Sequence, residues 1–135
     1  MLTQTNITAI EGKFRRSEIK FEKTFLFKEK PINFPHTMLN NSEFCIIYFI
    51  DSPNYSWYLT NKNLIIPSIN ILVDLLSLLK VDFINLKSNP EHKLMNNELD
   101  LFTKDFAFKI VLEEKSWPAI YNIFKFIISK NENTE

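Results

Sequence analysis

A chain of 135 residues with a single glycine has few ways to turn sharply. Glycine alone enters the left-handed backbone region without steric cost and lets the main chain approach a ligand closely. With only Gly12, near the start of the chain, neither a phosphate-cradling loop nor a dinucleotide-binding fingerprint can be written, because both need several glycines ahead of a helix. Asparagine tolerates that region better than other non-glycine residues. Asn40-Asn41, Asn54, Asn61, Asn89 and Asn96-Asn97 all fall between apolar runs and are read as the joints of the fold.

Other chemistry is removed on similar grounds. Cys45 is the only cysteine, so a multi-cysteine zinc site and an internal disulfide are both impossible. The two histidines, His36 and His92, show no HxH or HxxxH spacing. No metal and no cofactor are expected. Lys+Arg and Asp+Glu number 16 each, whereas a dedicated nucleic-acid binder would carry a basic excess. The charge is nonetheless uneven, with a mildly basic first thirty residues and an acidic end. The start, MLTQTNITAIEGKF, lacks the cationic and apolar regions of a signal peptide. The apolar stretch around Ile69–Leu79 is too short to span a bilayer. A single domain over 1–135 in the cytoplasm is the expectation, with a frayed polar tail at 131–135.

The apolar pattern gives the elements. Residues 1–17 fit a helix, a strand or an irregular segment. The run IKFEKTFLF from Ile19 suggests a strand with an irregular middle, and Pro31 and Pro35 end it. EFCIIYFI (43–50) is a near-continuous apolar, β-branched and aromatic run, which is the mark of a central strand. The turn DSPN and a second strand from Tyr55 to about Ile66, broken near Asn61–Asn63, make a hairpin. In 68–80 the polar residues Asn70, Asp74, Ser77 and Lys80 recur at spacings of four, three and three, which predicts a central helix capped by Ser68. Strands follow at about 81–86, 97–103 and 106–113, the last two joined by Lys104-Asp105 and so antiparallel. Trp117, Ile120, Tyr121, Phe124, Ile127 and Ile128 then make one apolar stripe at helical spacing, behind Ser116 as N-cap and Pro118 in the first turn. The fold class is α+β. An antiparallel sheet of about five to seven strands is expected, packed by a helix near 68–80 and an amphipathic helix near 116–130.

No residue emerges as catalytic. Cys45 lies in an apolar strand, where a thiol acts as a small hydrophobe, and both histidines read as solvated loop residues. Glu98 and Asp100 share one strand face, about 6.5–7 Å apart, a spacing that suits acid/base work. Their alternation with Leu99 and Leu101 puts them on the solvent face instead. Glu113 and Glu114 fit as anions near the positive end of the last helix. The basic residues Lys13, Arg15, Arg16, Lys20 and Lys23 interleave with Phe14, Phe21 and Phe25, a pattern open to anion binding and equally to an ordinary amphipathic strand. Two partner-binding surfaces are expected. One is the aromatic group Tyr55, Trp57 and Tyr58, since Tyr and Trp dominate binding hot spots, although on a strand Tyr55 and Trp57 share one face and Tyr58 takes the other, so at least one set packs as core. The other is acidic, comprising Glu98, Asp100 and Asp105, and suits a basic partner.

The stretch WYLTNKNLII, followed after a gap by paired strands and a final helix beginning SWPAIYNIFKFI, resembles bacterial pleckstrin-homology-like modules. Leu59, Thr60, Asn61, Lys62 and Leu64 carry the "LTN-basic-x-L" hairpin of that family, with Asn63 where a basic residue is usual. The resemblance spans about residues 43–130. It implies antiparallel strands closed by an amphipathic helix, and a binding module rather than an enzyme. Class alone suggests a second function. A compact, glycine-poor α+β domain without catalytic groups fits a toxin-neutralising immunity protein that binds a toxin encoded by a neighbouring gene, or else a secretion chaperone. The expected function is therefore a non-enzymatic protein-binding domain. A pleckstrin-homology-like ligand or lipid module is the alternative, and a homodimer is a further option.

Overall fold

The apolar run beginning at Cys45 lies in the middle of an antiparallel meander. In the computed structural model, which describes residues 2–33, 42–83 and 97–132, helix α1 (Gln4–Arg15) comes first. It is followed by β1 (Thr24–Leu26), β2 (Cys45–Ser52), β3 (Tyr55–Thr60), β4 (Asn63–Ile66) and β5 (Ile71–Asp74). These five strands form one sheet in chain order. Strands β6 (Leu78–Asp82), β7 (Glu98–Thr103) and β8 (Ala107–Val111) form a second sheet, also in chain order, and helix α2 (Trp117–Glu132) ends the chain. Every strand pairing is antiparallel. The α+β class expected from the pattern is the class found.

Alternation decides which residues go inside. Across the first sheet, Leu26, Ile47, Leu59, Leu64 and Val73 occupy one row in register. They are buried in the main core together with Leu99, Leu101 and Ile110 of the second sheet. Ile7, Ile10 and Phe14 of α1 and Ile120, Ile123, Phe124 and Ile127 of α2 complete that core. The opposite face of the first sheet carries a second row, Phe25, Tyr48, Tyr58, Ile65 and Leu72. Its inner members form a smaller cluster with Cys45, under Phe27 and Ile32. A sheet buried on both faces reads as a near-continuous apolar run, which accounts for EFCIIYFI.

The central helix expected over 68–80 is absent. A 3₁₀ turn (Pro67–Ile69), strand β5, a second 3₁₀ turn (Leu75–Ser77) and strand β6 occupy that segment. Of the four polar residues with helical spacing, Asn70, Asp74 and Ser77 belong to the turns and Lys80 lies in β6. Asn70 sits in the left-handed region at φ 53° and closes the first turn. Asp74 Oδ1 accepts from the Leu76 amide at 2.9 Å, and the Ser77 hydroxyl donates to the Asp74 carbonyl at 2.6 Å. Side chains of this kind satisfy local backbone groups and so compete with a helix. Ser68 caps nothing there. The other left-handed positions are Glu18 and Lys115, so in the described residues asparagine takes only one such role.

Smaller expectations also shift. Residues 4–15 are helical, with Thr3 Oγ1 accepting from the Asn6 amide at the N-cap. The strand expected from Ile19 narrows to Thr24–Leu26, and 84–86 of the expected strand at 81–86 lie outside the described residues. Ser116 receives the first helical bonds of α2 on its carbonyl while its hydroxyl donates to the Glu113 carbonyl at 2.7 Å. Helix α2 runs past the expected start of fraying to Glu132. The Asn131 amide donates to the carbonyls of Leu75 (2.6 Å) and Leu78 (3.4 Å).

Two polar devices lock the frame. The LTNK turn is buried. Thr60 Oγ1 accepts from the amides of Lys62 (3.1 Å) and Asn63 (2.8 Å) and donates to Glu43 Oε2 at 2.5 Å. Asn63 Nδ2 donates to the same carboxylate at 2.8 Å. Asn61 bridges to the start of β2, accepting from the Phe44 amide and donating to the Ser42 carbonyl. The second device is Glu113. Its carboxylate accepts from the amides of Glu22 (2.6 Å) and Lys23 (2.8 Å) and from the Thr24 hydroxyl (2.8 Å). It thereby anchors the approach to β1 at the end of β8, rather than serving only as a charge near α2. Hydrogen bonds to a charged acceptor are worth more than neutral ones. Glu113→Ala should therefore lower stability by about 2–3 kcal/mol, with Glu113→Gln intermediate, as measured by urea unfolding of the variants beside the parent chain.

Candidate functional site

The aromatic residues expected to form an exposed anchor point inward. Trp57 is 1% exposed and Tyr58 is 9% exposed. Trp57 packs against Phe49 in the main core, while Tyr58 stacks on Tyr48 with ring centroids 6.4 Å apart in the second cluster. Tyr55 is half-buried. Together Tyr55 and Trp57 hold one residue of the other sheet. The Val111 amide donates to Tyr55 Oη at 2.9 Å, and Trp57 Nε1 donates to the Val111 carbonyl at 2.9 Å. Strand β8 is an edge strand of its sheet, and this clamp satisfies backbone groups that no strand pairs with among the described residues.

The acidic residues do not form one surface. Asp100 lies in register between Asp82 of β6 and Lys109 of β8. It is buried rather than on a solvent face, with Lys109 Nζ at 3.9 Å. The middle strand of the sheet is covered on both sides, so its alternation does not separate core from solvent. Glu98 is half-buried at the start of β7. Asp105 is exposed in the turn beyond the strand's other end, roughly 20 Å away at strand rise. His36 and His92 lie outside the described residues. Among the described residues no group of three His, Cys, Asp or Glu side chains could hold a metal ion, and no helix is long and apolar enough to cross a membrane.

A surface that the pattern hid comes forward at the corner between the sheets. Ile69, Leu72, Leu76 and Leu79 are each between 51% and 58% exposed, and all fall in the segment misread as a helix. Strand β5 is the last strand of its sheet, so one row of its backbone groups faces outward with no strand beside it among the described residues. Leu72 ends the row Phe25–Tyr48–Tyr58–Ile65–Leu72. The inner members of this row are buried and its terminal leucine is open. Exposed apolar side chains beside an unpaired sheet edge mark a place where another chain can add. A strand reading of ILVD, with its β-branched residues, would have exposed this signal, and the Asn70/Asp74/Ser77 spacing concealed it.

Cys45 is buried and its Sγ lies 3.6 Å from the Ile47 carbonyl. Burial pushes the thiol up to about 12, so no thiolate is on hand near neutral pH.

No protein family, curated protein or solved structure matches this chain.

Two outcomes follow from this geometry. Tyr55→Phe keeps the ring and removes the acceptor of the Val111 amide. It should cost about 1–3 kcal/mol in urea unfolding and speed hydrogen exchange at that amide. The fold holds the Cys45 thiol neutral, whereas the unfolded chain ionises it from its ordinary value of 9.0 upward. Stability is therefore fully present below pH 9 and falls as pH rises toward 12. Desolvation also raises Tyr48 and Tyr55, so Cys45→Ala should flatten this alkaline slope without abolishing it, as read from urea midpoints across that pH range.

Proposed function

We propose that this chain is a protein-binding domain that accepts an extended, apolar segment of a partner protein along β5 and the corner that follows it. The observation that carries this reading is the open leucine at the end of a row whose inner members are buried, on a strand whose outer edge is unpaired among the described residues. In such addition the backbone ladder supplies affinity and alternate side-chain contacts supply selectivity. Leu72, Leu76 and Leu79 would meet the apolar side chains of the incoming segment. Strand β5 lacks the lysine or proline that commonly blunts a solvent-facing edge, and that favours an edge normally covered.

The narrower form of this reading is a toxin-neutralising immunity protein that works by direct complex formation. A pleckstrin-homology-like ligand module is the second reading. It draws support from two antiparallel sheets followed by a C-terminal amphipathic helix, and from the buried LTNK turn. Replacement of the expected helix by β5 and β6 brings the chain nearer to that arrangement.

Tagged chain expressed with its native neighbouring genes should retain a stoichiometric partner. Leu72→Asp combined with Leu79→Asp should weaken that complex at least about tenfold while leaving the thermal midpoint nearly unchanged. Asp105→Lys should leave the complex intact. If the partner is toxic and co-expression protects the host, the immunity form holds. Absence of a stoichiometric partner, or a complex indifferent to both leucines, overturns the docking surface.

A further inference from the structure

A cavity of about 540 Å³ lies between the C-terminal end of α1 and the outer face of α2. Lys13, Arg16 and Lys125 line it, together with the polar side chains of Ser17, Asn122 and Ser129, and no carboxylate does. None of these three cations makes an ion pair among the described residues, whereas the neighbouring Arg15 and Lys23 pair with Glu29 and Asp51. Lys13 is held over the Phe126 ring, with Nζ 5.1 Å from its centroid. That contact fixes the side chain without neutralising it. The first turn of α2 lines the cavity through Pro118 and Ala119, and its positive dipole end offsets the negative end that the last turn of α1 brings there.

The single glycine of the chain belongs to this arrangement. Gly12 occupies the interior of α1, where glycine is a poor helix former. A Cβ built there would stand 2.8 Å from one terminal nitrogen of Arg16 and 3.2 Å from the other. The bare backbone at position 12 is therefore what lets the guanidinium fold back along the helix beside the cavity.

We infer that the cavity binds a phosphate ester, held by Arg16 in a forked contact and by Lys13 and Lys125 as point charges. Three positive charges lining one cavity match a phosphate monoester dianion better than a single carboxylate, and guanidinium geometry suits its oxygens. The site is separate from the β5 edge and does not depend on the docking proposed there. Its ligand is either a soluble phosphorylated molecule or the phosphate headgroup of a lipid at a bilayer surface.

Amide chemical shifts of the isotope-labelled chain, followed during titration with inorganic phosphate and pyrophosphate, test the soluble form. Flotation with phosphatidylcholine vesicles, with and without phosphatidic acid, tests the bilayer form. Binding should perturb the 12–17 and 119–129 segments, and Arg16→Gln or Lys125→Gln should weaken it about tenfold or more. Gly12→Ala is the sharper probe. It should raise the unfolding midpoint, because alanine favours a helix and the clashing atoms are the mobile end of Arg16, yet weaken phosphate binding severalfold. Binding of the free anions identifies a soluble ligand. Recruitment only to phosphatidic acid vesicles, lost in Arg16→Gln, identifies a headgroup. No binding in either arm, or binding unaffected by all three substitutions, overturns the proposal.

Discussion

The clamp on Val111 is the contact on which the rest of the architecture depends. Five strands and three strands make two separate ladders, so no continuous row of backbone bonds sets the angle between them. Tyr55 and Trp57 reach from β3 and grip both backbone groups of one residue at the edge of β8. Close by, Glu113 gathers the approach to β1. These contacts are directional, whereas apolar packing alone fills volume without fixing register. Leu26, Ile47, Leu59 and Leu64 meet Leu99, Leu101 and Ile110 in one apolar cluster, so the directional polar contacts beside it help determine how the two layers meet.

Much of the frame was legible because periodicity and burial agreed. Helix α2 presents a clean stripe, β2 is apolar on both faces, and β7 and β8 are joined by a short turn over Lys104, Asp105 and Phe106. The segment 68–80 failed because Asn70 takes the left-handed position that closes one 3₁₀ turn, and Asp74 and Ser77 bond to nearby backbone at the next. The length of β5 between those turns happens to reproduce a helical spacing. Periodicity reports a helix only where the polar residues face water, and here they were spent on turns.

The site was less legible than the fold. Tyr55, Trp57 and Tyr58 suggest a partner surface in sequence, yet large amphipathic rings look alike there whether they anchor a partner or bridge two sheets. Asp100 misled for the converse reason, since alternation marks solvent only when one face of a strand is open. Ile69, Leu72, Leu76 and Leu79 look like core residues to any reading of composition. Only the pairing order, which leaves β5 at the end of its sheet, shows them to be surface.

The grip of Asn131 on the carbonyls of Leu75 and Leu78 ties the last turn of α2 to the corner between β5 and β6. The two ladders are joined covalently at that corner, so the amide acts as a latch across a hinge. While it is closed, the leucines of the corner stand at a fixed angle to α2. Released, the same residues would flex independently of the core, and the edge would lose its preorganisation without losing a single apolar side chain.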